Sequence, residues 1–344
     1  MSRRLLQAMA GARHGGAETF FVRLADAFER AGETQRVVIR RDPDRVQRLR
    51  AVGVDVIEFG FGGRFDVATG WRFRKLVADW RPDLVLTWMS RATQACPKGD
   101  FVHVARLGGY YDLKYYRGCD HLIANTRAIA DYAVAGGWPP DRIDYVPNFV
   151  PDLRRSDDAA PCGDRPQALA LARLHPNKGL SLLLEAMVLS PDLRLTIAGD
   201  GPLRAALQRQ AYDLNLSDRV SFLGWREDVS ALLAQADFLV CPSLHEPLGN
   251  VVIEAWSAGV PVVATMSDGP AQLITHDVDG LLVALPGQPG GGVPALAAAM
   301  TRLSRDRQLR QRLAQAGRRA YEAEFTETAV VARYRRLFDR LAPA

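Results

Sequence analysis

Short apolar runs alternate with amphipathic helical patterns along this chain, and the alternation runs twice. Residues 5–9, 37–40, 54–58, 84–88, 101–106, 121–125 and 143–147 predict strands. Residues 17–31 predict a helix with Phe20, Phe21, Leu24 and Phe28 on one face and Gly32 ending it. Helical patterns also cover 71–80 and 126–135. The pattern changes at Val146-Pro147-Asn148-Phe149-Val150, and the polar, proline-rich stretch 151–166 reads as a linker. Strands then fit 168–172, 194–198, 220–223, 238–241, 260–264 and 281–284, and helices fit 180–189, 202–214, 229–236, 251–258 and 271–275. Residues 287–292 read as a mobile Gly/Pro loop, and 294–341 as helix throughout, with breaks near Arg305 and Gly317. Strands separated by helices cannot pair as hairpins, so each half implies a mostly parallel sheet covered on both faces. The expected fold class is α/β: two doubly wound domains facing a central cleft, with ligands beyond the carboxyl ends of the strands. A length of 344 residues suits two domains better than one core. The expected boundaries are 1–150, 151–325, and a last helix, 326–344, packing back on the first domain.

Charge is uneven: residues 1–150 carry +6, residues 151–300 carry −7 and residues 301–344 carry +6, within a total of +5. Basic ends around an acidic middle suit an anionic membrane or an anionic acceptor, or reflect plain arginine usage. No nucleic-acid motif accompanies the charge, so nucleic acid is not expected as a partner. No apolar run approaches the roughly 18 residues of a spanning helix. The opening Met1-Ser2-Arg3-Arg4-Leu5-Leu6 is too short in apolar residues for a secretory leader. Cys96, Cys119, Cys162 and Cys241 are scattered, without metal spacing, and read as free thiols in a reducing compartment. No metal site is expected.

Five short motifs carry possible chemistry. In 245–264, Glu246 and Glu254 flank a Gly249-Asn250 pair that reads as a helix start. Unpaired N–H groups and the positive dipole end there suit a phosphate. Two carboxylates beside an anion site need other partners, and sugar hydroxyls are natural ones; the alternative is an ordinary loop entering a helix. Gly15-Gly16-Ala17-Glu18 follows the first strand, where backbone can approach an anion or simply turn; it lacks the full dinucleotide fingerprint, so no NAD site is inferred. Arg173 and Lys178 bracket the loop after the first strand of the second half and suit a diphosphate, or are two solvated charges. Gly199-Asp200-Gly201-Pro202 reads as a tight structural turn. Gly224, ending Phe222-Leu223-Gly224-Trp225, exposes backbone that could read a nucleobase edge or merely turn.

Together these motifs resemble glycosyltransferase family 4, retaining enzymes of the GT-B fold with two Rossmann-like domains. The resemblance covers nearly the whole chain, is strongest over 169–283 and is weak over 32–104. It implies that Arg173 and Lys178 bind the donor diphosphate, helped by Leu248, Gly249, Asn250 and Val251. Glu246 would contact the transferred sugar, Glu254 the ribose and Gly224 the base, while Gly15 and Gly16 would close over the phosphates. It implies an acceptor-binding first domain, a nucleotide-sugar-binding second domain, no metal and no cofactor beyond the co-substrate, a UDP-sugar first and a GDP- or ADP-sugar next. The family's first-domain histidine has no clear counterpart; its place falls near Gly108-Gly109, so His103 and Arg106 stand as candidate substitutes. The family's usual glycine is replaced by Phe149. Residues 64–74 and 110–116 are candidates for acceptor choice. The expected activity is transfer of a hexose-type sugar to a hydroxyl acceptor in surface-glycan or lipid-linked glycan synthesis, in the cytoplasm and peripherally on the inner face of the cell membrane. A GT-B-like nucleotide-sugar epimerase and a non-catalytic sugar-nucleotide or glycan-binding subunit are the alternatives. Oligomeric state is not legible.

Overall fold

A computed structural model of the protein describes residues 3–13, 15–62, 66–154 and 165–343. The chain divides into two compact units, Met1–Phe149 with Glu327–Ala344, and Val150–Thr326. Cys162 and most of the expected linker lie outside the described residues.

The first unit is built from β1 (Arg4–Met9), α1 (Gly16–Arg30), β2 (Thr34–Arg40), α2 (Pro43–Ala51), β3 (Asp55–Phe59), α3 (Val67–Trp80), β4 (Leu84–Trp88), α4 (Met89–Ala95), β5 (Val102–Leu107), β6 (His121–Ala124), α5 (Arg127–Ala135) and β7 (Ile143–Tyr145). Its seven strands are all parallel, in the order β3-β2-β1-β4-β5-β6-β7. Central strands buried on both faces read as largely apolar runs, as β4 does apart from Thr87. The phenylalanine stripe of α1 is buried as its spacing requires. Two helices were not legible in advance. α2 is mostly polar and buries only Val46 and Leu49 among its apolar side chains, although Asp42 caps it ahead of Pro43. α4 is seven residues long and too short to show a period.

The second unit comprises β8 (Gln167–Leu171), α6 (Leu180–Val188), β9 (Arg194–Ala198), α7 (Arg204–Asp213), β10 (Val220–Gly224), α8 (Val229–Ala234), β11 (Phe238–Cys241), α9 (Asn250–Ser257), β12 (Val262–Thr265), α10 (Asp268–Leu273), β13 (Leu281–Val283), α11 (Val293–Arg305) and α12 (Arg307–Glu324). Its six-stranded parallel sheet runs β10-β9-β8-β11-β12-β13. The tail breaks at Asp306, as expected near Arg305, but not at Gly317, which lies inside α12. A side chain there would meet the Trp256 ring at 2.2 Å, so this glycine lets α12 lie against α9. Trp256 is itself buried and donates Nε1–H to the Asp279 carbonyl at 3.0 Å.

The last helix, α13 (Glu327–Leu341), belongs to the first unit. Tyr334 and Phe338 pack on Phe28, with ring centroids 5.5 and 5.9 Å away. Arg30 pairs with Glu327 at 2.5 Å, and Arg3 with Asp339 at 2.8 Å.

The two first-domain candidates lie on β5. His103 is buried within β5, with Nε2 3.0 Å from Thr87 Oγ1 and 3.8 Å from Cys119 Sγ. Burial pushes its pKa down to about 4, with Asp120 opposing, so the ring is neutral near pH 7 and serves the core. Arg106 ends β5 only 3% exposed, its Nε donating to the Tyr334 hydroxyl at 2.9 Å and its Nη2 to Asn148 Oδ1. Its guanidinium lies 4.7 Å from the centroids of both Phe20 and Trp88. Its bonds tie α13 and Asn148 to the sheet.

Gly317→Ala should destabilise the chain by about 1–3 kcal/mol through overpacking against Trp256, where an open helical glycine would gain from alanine; denaturant unfolding reads the sign. His103 should leave stability level above about pH 6.5 and remove it as pH falls from there through about 4, because only the unfolded chain binds the proton. His103→Gln should flatten that stretch of the stability–pH curve, and an unchanged slope would contradict the assignment.

Candidate functional site

In the second unit the strand order reverses between β8 and β11. The crevice outside the carboxyl ends at such a switch point is where ligands bind in open parallel sheets. The two loops leaving these strands carry the strongest motifs of the sequence, and the structure joins them. The N–H groups of Leu244 and His245 donate to the Asn177 carbonyl at 2.8 and 3.1 Å. Gly179, with φ of 61°, sits so close that a side chain would meet the Pro242 carbonyl oxygen at 2.0 Å. Glycine is therefore required there both by conformation and by space.

Lys178 and Glu246 form an ion pair across this junction, both partly buried, with side-chain exposures of 25% and 15%. Ser243 Oγ donates to the same Glu246 oxygen at 3.4 Å, and Thr265 Oγ1 fixes the Ser243 carbonyl at 2.5 Å. Two residues beyond Leu248, α9 begins at Asn250 with Gly249 as its N-cap, and no side chain caps it. The first turn of α9, including Val251, carries the positive dipole end of a helix start, four residues after Glu246. Glu254 is half-buried on the same helix. The Leu248 side chain is buried, and its backbone lies against Gly269, whose N–H donates to the Glu246 carbonyl at 2.7 Å.

Arg173 opens the first of these loops, exposed and without an ion-pair partner among the described residues. The Gly199–Gly201 turn backs this loop: Leu174 N–H donates to the Asp200 carbonyl at 3.0 Å, and Leu203 N–H to that of Leu174 at 3.1 Å. Gly224 ends β10 and accepts from Gly199 N–H at 2.7 Å, with Trp225 beyond it 73% exposed. One unit thus brings Arg173, Lys178, Glu246, Leu248, Gly249, Asn250, Val251, Glu254 and Gly224 to the carboxyl ends of its strands. Together they offer two cations, a helix start and two carboxylates, a set able to hold a phosphorylated, hydroxyl-rich ligand.

In the first unit the order reverses between β1 and β4, and Gly15 and Gly16 start α1 after β1. Gly15 is an N-cap without a side-chain partner. Glu18 folds back beneath this loop, 6% exposed, its Oε1 accepting from Ala12 N–H at 2.7 Å. His103 and Arg106 lie on β5 with the partners described above. Asn125, 4% exposed at the end of β6, leaves Oδ1 without a partner among the described residues. Tyr111 is mostly buried, and burial raises its pKa while Arg106 opposes. The sequence marked Glu18 within the Gly15–Glu18 motif but gave no sign that Asn125, Asn177 and Ser243 organise these loops. Only Glu18 left a signal, as the acid of a first helical turn.

Residues 14–154 match the family model described as Glycosyltransferase Family 4, and residues 156–320 the model described as Glycosyl transferases group 1. Rhizobium meliloti LpsD, a lipopolysaccharide core biosynthesis glycosyltransferase, is 34% identical over 336 residues, 95% of each chain. LpsE of the same organism, with the same description, is 33% identical over 94% of this chain and 95% of its own. Among solved structures, Anabaena HepE in complex with UDP superposes with a TM-score of 0.85 at 21% identity, covering 98% of this chain and 100% of that one. WaaG, a glycosyltransferase involved in lipopolysaccharide biosynthesis, gives 0.73 at 19%, covering 99% and 100%. The structural likeness establishes the GT-B fold, and identity along almost the full length of LpsD and LpsE establishes the family: the chain is a glycosyltransferase of family 4.

Proposed function

We propose that the enzyme moves a hexose-type sugar from a UDP-sugar to a hydroxyl of a lipopolysaccharide core or another bacterial surface glycan, with retention at the anomeric carbon. The observation that carries this reading is the Lys178–Glu246 pair set beside the uncapped start of α9 at a switch point. The sugar's C1–O bond to the β-phosphate breaks as the acceptor oxygen bonds to C1 on the same face, and the acceptor proton passes to the leaving phosphate oxygen. Arg173, Lys178 and the N–H groups of Gly249, Asn250 and Val251 meet the charge that develops on the diphosphate. Glu246 orients the sugar hydroxyls, Glu254 the ribose, and Gly224 approaches the base. From the first unit, Gly15 and Gly16 offer N–H groups to an anion, and the residues around Tyr111 and Asn125 take the acceptor. Positioning and electrostatics thus carry the reaction, without a protein nucleophile. HepE bound to UDP and to UDP-glucose supports uridine. A Mycobacterium tuberculosis relative named for GDP-mannose dependence, 32% identical over 54% of this chain, keeps a GDP-sugar as the second choice.

A peripheral position on the inner face of the cell membrane is part of the same reading, supported by the basic ends of the chain. Among the described residues no helix is long and apolar enough to cross a membrane.

Glu246→Gln and Lys178→Ala should each lower kcat by about 10²-fold or more, the loss seen when a transition-state contact goes, while the fold persists by circular dichroism. The proposal is tested by incubating the enzyme with UDP-glucose or UDP-galactose and lipopolysaccharide core acceptors lacking terminal sugars. The expected product carries an α-linkage by proton NMR, with one UDP released per transfer. A β-linked product would overturn retention, and epimerised sugar nucleotide without acceptor product would favour the epimerase reading.

A further inference from the structure

Helix α3 bears a face that its own unit does not cover. Val67 is 83% exposed and Trp71 is 64% exposed, and they lie one turn apart on the same side. The opposite side holds the helix to the sheet: Phe73 is fully buried, its ring 5.8 Å from that of Phe59. Along the outward face, Arg74, Lys75 and Ala78 follow Trp71, all exposed. Arg72 flanks them, its guanidinium 4.7 Å from the Phe59 ring. Asp79 is the one acid of the helix, and it is paired to Lys75 at 2.9 Å in full view of solvent.

Tryptophan is ordinarily well buried. Here it is bared beside a bared valine, with three cations in the following turn. Lysine is depleted from the cores of protein–protein interfaces. Tryptophan next to Lys and Arg is instead what the membrane–water boundary selects, the indole at headgroup depth and the cations at lipid phosphates. Because Phe73 fixes α3 to the sheet, only the outward side chains can enter the lipid.

We infer that α3 is the surface by which the protein seats on an anionic phospholipid membrane. Val67 and Trp71 enter the headgroup layer, and Arg74 and Lys75 meet the phosphates. This rests on the peripheral location proposed above and assigns the contact that produces it.

The test is flotation of the full chain with vesicles of phosphatidylcholine alone or with added phosphatidylglycerol. The wild type should float with the anionic vesicles and lose binding as salt rises. Val67→Ser combined with Trp71→Ala should weaken partitioning by about tenfold or more, the scale of withdrawing two apolar side chains. Arg74→Gln with Lys75→Gln should lose about fivefold per charge and flatten the salt dependence. All four side chains are exposed, so thermal midpoints should match the wild type and show that folding is intact. A wild type that fails to float overturns the peripheral reading and this surface with it. A wild type that floats while the Val67/Trp71 variant floats equally leaves the peripheral reading standing and removes α3. Equal flotation with a variant that turns from dimer to monomer in sedimentation would assign α3 to a second copy instead, overturning the lipid assignment.

Discussion

The loops that leave β8 and β11 are bound to each other by the Asn177 carbonyl, by the close approach of Gly179 to Pro242, and by the Lys178–Glu246 ion pair. These contacts hold the start of α9 beside two cations at the switch point of the sheet. The pair also sets the electrostatics there. A carboxylate standing alone at an anion site would repel a diphosphate, and Lys178 offsets it before any ligand arrives. An incoming phosphate can then share Lys178 while Glu246 turns its capacity to accept toward sugar hydroxyls. Arg173, exposed at the mouth of the same loop and without an ion-pair partner among the described residues, can engage an anion. Such preorganisation lowers what must be rearranged in the transition state.

A different polar residue organises the first unit. Arg106 is enclosed by Phe20 and Trp88, and it binds Asn148 and the Tyr334 hydroxyl. One guanidinium thus joins the end of β5, the segment after β7 and the helix that returns from the far end of the chain. The same region accounts for Phe149, which stands where the family usually has glycine. Its ring packs edge-on against Phe20 at 5.2 Å and is 2% exposed, so the larger residue fills the core beside Arg106.

Most strands were legible because a strand buried in a sheet is largely apolar, and 84–88, 194–198 and 238–241 were read to the residue. α2 escaped because only Val46 and Leu49 mark its apolar face: an arginine-rich surface helix shows its caps more clearly than its period. Gly317 misled because helix propensity treats glycine as a breaker, whereas the Trp256 ring demands the missing side chain. The loop motifs at the carboxyl ends of β8 and β11 were legible because glycines, cations and helix starts leave local patterns. The surroundings of His103 and Arg106 were not legible because they come from β4, α1 and α13, far apart in sequence. Asn177 and Ser243 left no signal, since the first contributes a carbonyl and the second one weak hydroxyl contact.

The central claim is that the start of α9, with Lys178, forms a nucleoside diphosphate site. Its most direct measurement is thermal unfolding of the wild type and Lys178→Ala against UDP, GDP, ADP and CMP. Ligand at about a hundred times its dissociation constant adds about 2.7 kcal/mol, enough to raise the midpoint by a few degrees. The expected result is a rise with UDP in the wild type that is largely lost in Lys178→Ala. No rise with any diphosphate, or an equal rise in the variant, would contradict the site.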